Sequence, residues 1–261
     1  MTRRVAGMRR ASRTAAWLLA AALVAGCAGL QPQASSDQRR AAEVNAELGI
    51  NYLQQNDLAQ AQRALDRALQ FDPNLAMAHL GMGLLRESQG SEELAVTHYR
   101  RALTLEPGNL YVQTNLGDLL CRRGDAPEGQ ALLAQAIASP SFSARDVALL
   151  NSGRCYARTG DRVRAEERMR EVLRINPQFA AALYEMAALT FADGRPLQTR
   201  AFLSRLTALG VATPASLLLC YKAEMQMGNR TDAQACAERL KREFGDSQEV
   251  AELLRMEQSG G

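Results

Sequence analysis

Residues 76–107 read AMAHLGMGLLRESQGSEELAVTHYRRALTLEP, which predicts two short amphipathic helices joined by a turn at Gly90. The small residues Gly83 and Ala95 mark positions where the two helices approach closely. Pro107 ends the second helix, since proline disrupts a helix that continues past it. A hairpin of this size cannot bury its apolar faces alone, so it must pack against further copies.

The hairpin recurs with a period of about 34 residues. The turn residues follow one another at spacings of 34, 34, 36, 34 and 34: Asn56, Gly90, Gly124, Gly160, Gly194 and Gly228. Three further ladders keep nearly the same step: glycines in the first helices (Gly49, Gly83, Gly117, Gly153), alanines opposite them (Ala61, Ala95, Ala165, Ala233) and prolines after the second helices (Pro73, Pro107, Pro177). Four ladders in register argue against the alternative, a helical bundle with chance spacing.

This period, with small residues near positions 8, 20 and 27 and proline near position 32, resembles the tetratricopeptide repeat. The resemblance implies an all-α fold, a right-handed solenoid of about six repeats. We expect repeats near residues 42–75, 76–109, 110–145, 146–179, 180–213 and 214–247, within a domain spanning 37–258. The two-residue excess between copies three and four is assigned to a loop at 139–143. Asp246 with Glu249 predicts the start of a capping helix at Val250–Met256.

The N-terminus reads as a lipoprotein signal, residues 1–26. Five arginines precede an eleven-residue apolar core at 15–25, too short to span a bilayer, for which about 20 residues are needed. Val24-Ala25-Gly26-Cys27 follows and resembles the bacterial lipobox, which implies acylation of Cys27. The alternative is a free or disulfide-bonded cysteine near a cleavage site. Residues 27–36 read as the lipidated cysteine and a flexible linker, and Ala28 in place of Asp implies an outer-membrane destination.

Composition excludes nucleic-acid binding. The chain has a formal net charge of +3, and loss of the five arginines in residues 1–26 leaves −2. Only 5% of the residues are aromatic, and no basic stripe with interleaved aromatics is present. The two histidines, His79 and His98, read as helix-surface or packing residues. Without a catalytic or metal-binding motif, we expect neither an enzyme nor a cofactor.

The four cysteines beyond Cys27 allow two pairings within adjacent elements. Cys121 and Cys155 lie in first helices of neighbouring repeats, and Cys220 and Cys236 lie in the two helices of one hairpin. Both pairs could form disulfides in an oxidising compartment. The alternative is that all four are small buried apolar residues.

The strongest candidate for a site is the concave face that first helices line in a tetratricopeptide array. Inward positions are 2, 5, 9 and 12 of each copy. The large apolar residues at these positions in the first two copies, with position 2 of the third, form what we call the groove strip: Ile50, Leu53, Met77, Leu80, Leu84 and Tyr111. Exposed apolar side chains on such a surface predict a protein partner. The competing explanations are a register error of one residue or coverage by the linker. In the fourth copy, Val147, Leu150, Arg154 and Arg158 predict a mixed surface.

A lipobox followed by six such repeats resembles the type IV pilus biogenesis lipoproteins called PilF or PilW. The resembling stretches include 48–52 (LGINY), 119–124 (LLCRRG), 150–155 (LNSGRC) and 244–249 (FGDSQE), although Gly245 stands where proline is expected. The resemblance implies a Cys121–Cys155 disulfide and a monomeric pilotin that is lipid-anchored on the periplasmic face of the outer membrane. It would bind pilus secretin subunits and support their multimerisation. The alternative is another tetratricopeptide scaffold of the cell envelope, such as an adaptor for peptidoglycan enzymes or outer-membrane protein assembly.

Overall fold

The computed structural model describes residues 35–259, which fold into thirteen α-helices without a strand. The all-α tetratricopeptide solenoid expected from the repeat pattern is confirmed. The helices are α1 Ser36–Gln54, α2 Leu58–Phe71, α3 Ala76–Ser88, α4 Glu92–Leu105, α5 Leu110–Arg123, α6 Ala126–Ile137, α7 Arg145–Arg158, α8 Arg162–Ile175, α9 Ala180–Ala192, α10 Pro196–Ala208, α11 Pro214–Gln226, α12 Arg230–Glu243 and α13 Gln248–Ser259.

Successive helices pair into six hairpins, α1/α2 to α11/α12, and each hairpin packs on the next. The second to sixth hairpins begin within one residue of the repeat starts expected from the sequence. The first helix begins earlier than the first repeat predicted from the sequence, which starts near residue 42. It begins at Ser36, inside the segment predicted as linker, because the Ser35 hydroxyl accepts from the Gln38 backbone N–H and the Gln38 side chain accepts from the Ser35 N–H.

The turns between paired helices adopt the left-handed conformation that the glycine ladder predicts. Gly90 has φ 74° and Gly124 has φ 97°, and the other turn glycines are similar. Asn56 occupies the same position in the first hairpin with φ 58°, which asparagine tolerates better than most residues. Each turn therefore reverses the chain without strain, and the paired helices lie antiparallel.

The glycines inside the first helices are required by close packing. A Cβ atom on Gly83 would lie 2.3 Å from Tyr99 Cε1, and one on Gly117 would lie 2.8 Å from Leu133 Cγ. Tyr99 and Leu133 are fully buried. Each glycine thus admits a large side chain from the second helix, which fills the centre of its repeat.

The two-residue excess lies between α6 and α7, as expected, but its loop is not a passive spacer. Phe142 is 8% exposed and packs in the cluster that contains Cys121, Leu133 and Cys155. The loop therefore contributes a core side chain at the junction of repeats three and four.

The last helix, α13, covers the end of the sixth repeat. Val250 and Leu253 pack against Leu217 and Tyr221 of α11. The predicted capping residue was wrong by one position: the Ser247 hydroxyl, not the Asp246 carboxylate, accepts from a first-turn N–H, that of Val250. The predicted helix, Val250–Met256, is extended at both ends.

Candidate functional site: the inner groove

The groove strip lies on the first helices and is half buried. Leu80 and Leu84 of α3 pack on one side against the cluster of Tyr99 and Leu116. Leu53 packs at the edge of a cluster that includes Leu65, and Met77 packs against alanines of α1. The Cγ1 atom of Ile50 lies 3.4 Å from where a Cβ of Gly81 would be, so its side chain approaches α3.

The strip therefore combines two roles. One side of each leucine or methionine closes the core between neighbouring helices, and the other side stays open to solvent. A charged substitution at Leu80 or Leu84 would place part of its charge against buried apolar atoms, which is costly. Smaller apolar replacements, such as alanine, are therefore the suitable variants at this site.

Tyr111, at the end of the strip, is 50% exposed and is held by the insertion loop. Its ring meets Phe142 edge-on at 5.0 Å between centroids, and its hydroxyl lies 2.7 Å from the Ser143 Oγ. Edge-to-face contacts of this kind stabilise both rings. These contacts fix the orientation of the Tyr111 ring, which is exposed at the third repeat.

An ionic cluster interrupts the apolar strip between repeats two and three. Arg122 of α5 contacts Glu87 of α3 and lies 3.1 Å from Asp118, and the Tyr99 hydroxyl donates to Glu87 at 2.9 Å. Burial raises the pKa of Glu87, and Arg122 counteracts that shift. The cluster joins two first helices across the groove floor and marks the end of its apolar part.

The fourth copy contributes less surface than predicted. Leu150 is 4% exposed and belongs to the core cluster of Met169 and Met186, so its assignment to the groove surface was wrong. Arg154 pairs with Glu185 of α9 at 2.7 Å, which neutralises the groove at this repeat. Val147, with 36% exposure, remains at the surface.

A second apolar part of the groove, in repeats five and six, was missed from the sequence. Tyr184 and Phe191 of α9 line a cavity of about 320 Å³ together with Leu218 and Lys222 of α11. Lys222 is fixed at 2.7 Å from Glu252 of the capping helix. These residues occupy the same repeat positions as the groove strip, so extending the position count to copies five and six would have found them.

Both candidate cysteine pairs are brought together. Cys121 of α5 is bonded to Cys155 of α7, with 5.4 Å between the Cα atoms. Cys220 of α11 is bonded to Cys236 of α12, with 6.1 Å between the Cα atoms. The first bridge ties neighbouring repeats beside the insertion loop, and the second ties the two helices of the sixth hairpin.

Cys27, the predicted lipidation site, lies outside the described residues, as do the signal segment and most of the predicted linker. Within residues 35–259, none of the helices is long and apolar enough to cross a membrane. The same part of the chain contains no cluster of three or more histidine, cysteine, aspartate or glutamate side chains that could hold a metal ion.

Comparison with known proteins agrees with this architecture. The tetratricopeptide repeat family model matches residues 46–109 and 114–178. The type IV pilus assembly protein PilF of Pseudomonas aeruginosa is 27% identical over 245 residues, which cover 92% of this chain and 97% of that protein.

Two solved structures are similar over most of the chain. The crystal structure of PilW, described as a widely conserved type IV pilus biogenesis factor, has a TM-score of 0.76 and 26% identity, covering 82% of this chain and 98% of PilW. A structure of Pseudomonas aeruginosa PilF has a TM-score of 0.74 and 25% identity, covering 85% of this chain and all of the PilF chain. The similarity therefore extends through all six repeats and is not confined to a generic repeat pair.

Proposed function

Because this chain is a PilF- and PilW-like tetratricopeptide-repeat protein, we propose that it is an outer-membrane lipoprotein that assists assembly of the type IV pilus secretin. The observation that carries the proposal is the similarity along nearly the whole chain to a protein named for type IV pilus assembly. In this role it acts as a pilotin: it binds secretin subunits and supports their delivery to the outer membrane and their multimerisation.

The groove strip is the proposed contact surface for the secretin. Its half-buried leucines and Met77 leave apolar area in water, at a cost of about 25 cal/mol per Å². A partner helix or extended segment laid along α1 and α3 removes that area from solvent. The ionic cluster around Arg122 bounds this contact, so the partner's apolar residues face repeats one and two.

Membrane attachment is proposed to come from lipid on Cys27. A single acyl chain gives only reversible binding, whereas a multiply acylated N-terminus anchors a protein stably. Cys27→Ser should abolish labelling with radioactive palmitate and move the protein from the outer-membrane fraction to the periplasm. Unchanged labelling of this variant would refute the assignment, and normal fractionation without labelling would refute the lipid's role as the anchor.

The secretin contact is tested by a double variant, Leu80→Ala with Leu84→Ala, in a pull-down with the pilus secretin. Truncating a fully buried leucine to alanine costs about 2–5 kcal/mol. Because Leu80 and Leu84 are half buried, each replacement should lower the free energy of unfolding by about 1–2 kcal/mol. We expect secretin capture to fall at least tenfold while circular dichroism still shows a folded protein at the assay temperature.

The matched control is Leu94→Ala, because Leu94 lies on second helix α4 and is 52% exposed. Capture should stay at the wild-type level for this variant. Wild-type capture by the folded double variant would exclude the groove strip as the contact surface. Intact secretin multimers in cells that lack the protein would exclude the pilotin role and favour another envelope scaffold.

A further inference from the structure

A second cavity lies outside the groove, at the junction of repeats five and six. It has a volume of about 440 Å³ and lies between α10 and the α11/α12 hairpin. Its apolar wall includes Leu203, Leu206, Leu217 and the Cys220–Cys236 disulfide. The volume falls within the roughly 300–1,000 Å³ typical of ligand pockets.

The repeat register explains why this junction is open. One repeat earlier, Met186 and Phe202 occupy the positions of Cys220 and Cys236, and the Phe202 ring lies 5.8 Å from the guanidinium carbon of Arg205. Two small bonded cysteines replace a methionine and a phenylalanine in the sixth repeat.

The mouth of the cavity opens for a related reason. Ser204 and Thr207 occupy the positions held by Arg170 and Leu173 in the preceding repeat. The equivalent depression there is smaller, about 320 Å³, and is lined by several arginines. The outer junction of repeats five and six thus has less side-chain volume and fewer arginines than the preceding one.

The buried polar groups around the cavity are paired with one another. Glu224, which is buried, accepts from Arg200 Nε at 2.6 Å and from Asn229 Nδ2 at 3.1 Å. Across residues 35–259, the buried side-chain polar atom that lacks a hydrogen-bond partner is Gln113 Oε1, in α5. The buried wall of the cavity therefore presents no unpaired polar atom to a ligand. This wall suits an apolar group inserted into the cavity.

One charge at the rim is weakly held. Arg239 pairs with Glu243 at 2.9 Å, and Arg200 is drawn toward Glu224. Asp232 is left 3.9 Å from Arg200, with its side chain 66% exposed. The rim is therefore complementary to a positive charge placed beside the inserted apolar group.

We propose that this cavity binds one large apolar side chain, aromatic by preference, that stands next to a lysine or arginine in a segment of a protein partner. The apolar side chain fills the space left by the missing methionine and phenylalanine, and the basic residue pairs with Asp232. The identity of that partner as the pilus secretin rests on the proposed function. The chemistry of the site does not, because it follows from the cavity and its rim.

The test uses fluorescein-labelled peptides and the full chain. Fluorescence anisotropy compares a peptide with the core Lys-Trp-Lys with two others, Lys-Ala-Lys and Glu-Trp-Glu, in the same flanking sequence. We expect the first peptide to bind at least tenfold more tightly than either of the others. Equal binding of the tryptophan and alanine peptides would overturn the proposal.

A second experiment repeats the peptide comparison with variants whose cavity is filled. Ser204→Arg with Thr207→Leu restores the residue types of the preceding repeat at two exposed positions and leaves the disulfide intact. This double variant should lose the preference for tryptophan, whereas Ala201→Arg, at an exposed position outside the cavity, should keep it. If the double variant does not fold, Ala235→Phe fills the cavity from α12. Retained preference in a folded, closed variant would place the peptide elsewhere and refute the proposal.

Asp232→Asn separates the two parts of the recognition. This variant should bind the Lys-Trp-Lys peptide about fivefold more weakly than the wild type does. Its affinity for a Ser-Trp-Ser peptide should equal that of the wild type. An equal loss for both peptides would refute the role of the charge. Peptide binding without capture of the secretin by any form of the protein would overturn the proposed partner and leave the cavity's specificity standing.

Discussion

The contact between Gly83 and Tyr99 shows how one residue sets the distance between paired helices. The Tyr99 ring is fully buried beneath Gly83, and its hydroxyl reaches Glu87 one turn further along α3. Alanine has the better intrinsic helix propensity, by about 0.8–1.0 kcal/mol. At this position overpacking outweighs propensity, since the added methyl group would overlap a rigid aromatic ring.

Gly83→Ala should therefore lower the free energy of unfolding by about 1–3 kcal/mol, as measured by urea denaturation. The matched control is Gly108→Ala in the loop after α4, where an added Cβ meets nothing within 4 Å. That control should be neutral or stabilise by up to about 1 kcal/mol, because alanine restricts the unfolded chain. Similar stability of the two variants would contradict the packing argument.

His79 and His98 form a pair that the sequence pattern treated as two ordinary residues. Their Nδ1 atoms lie 3.2 Å apart, and the Nε2 of His79 lies 3.0 Å from the carbonyl oxygen of Pro73. A carbonyl oxygen only accepts, so neutral His79 carries its proton on Nε2 and presents a lone pair to His98. Burial lowers the pKa of both histidines.

Acid should weaken the fold through this pair. A pKa that is lower in the folded state than the ordinary value of 6.5 means that the unfolded chain binds protons more readily. The pair's contribution is therefore complete above about pH 6.5 and is lost as the pH falls through the folded-state values. Urea midpoints at several pH values should fall less steeply for His98→Gln than for the wild type below that pH. Parallel curves would show that the pair does not cause the loss.

Among the elements, α5 and α7 are neighbouring first helices that are joined covalently, through Cys121–Cys155. The bridge spans 34 residues and lies beside Phe142 of the insertion loop. Neighbouring first helices elsewhere in the chain rely on packing and ion pairs such as Arg154–Glu185. The disulfide thus restrains the one junction where the repeat spacing changes.

Replacing both cysteines by alanine should cost about 3–4 kcal/mol in the chain-entropy model. Intact-mass spectrometry without reductant checks the premise, because each disulfide makes the mature protein 2 Da lighter than its thiol form. Four free thiols in protein purified from the cell envelope would refute both bridges. An unchanged urea midpoint after the double replacement would refute the stabilising role.

The whole molecule behaves as a stack in which each repeat depends on its neighbours. Within residues 35–259, α13 covers the open face of the sixth repeat, with Leu253 fully buried and Leu254 42% exposed. Leucines at adjacent positions therefore have different roles. One closes the core at the end of the solenoid, and the other faces solvent.

Leu253→Ala should lower the free energy of unfolding by about 2–5 kcal/mol, because it leaves a cavity against Leu217 and Tyr221. Leu254→Ala should change it by less than about 1 kcal/mol, as expected for a largely exposed side chain. Hydrogen exchange should show the loss first in α11 and α12, next to the cap. Equal effects of the two alanine variants would indicate that α13 does not close the stack.

Much of the fold follows from residues whose requirements are local. A left-handed turn selects glycine or asparagine, as at Gly90 and Asn56, and a close approach of two helices selects glycine, as at Gly83. These requirements recur with every copy, so the period appears in the sequence as aligned ladders. The six hairpins and the starts of the second to sixth could therefore be predicted without coordinates.

The remaining features depend on contacts between residues far apart in the chain. The burial of Leu150, the support of Tyr111 by Phe142 and the pairing of His79 with His98 arise where separate helices and loops meet. The cavity beside Cys220 and Cys236 exists because the side chains of α10, α11 and α12 leave space between them. A repeat pattern specifies which face each residue occupies, but the packing of neighbouring side chains determines how much of that face solvent or a partner can reach.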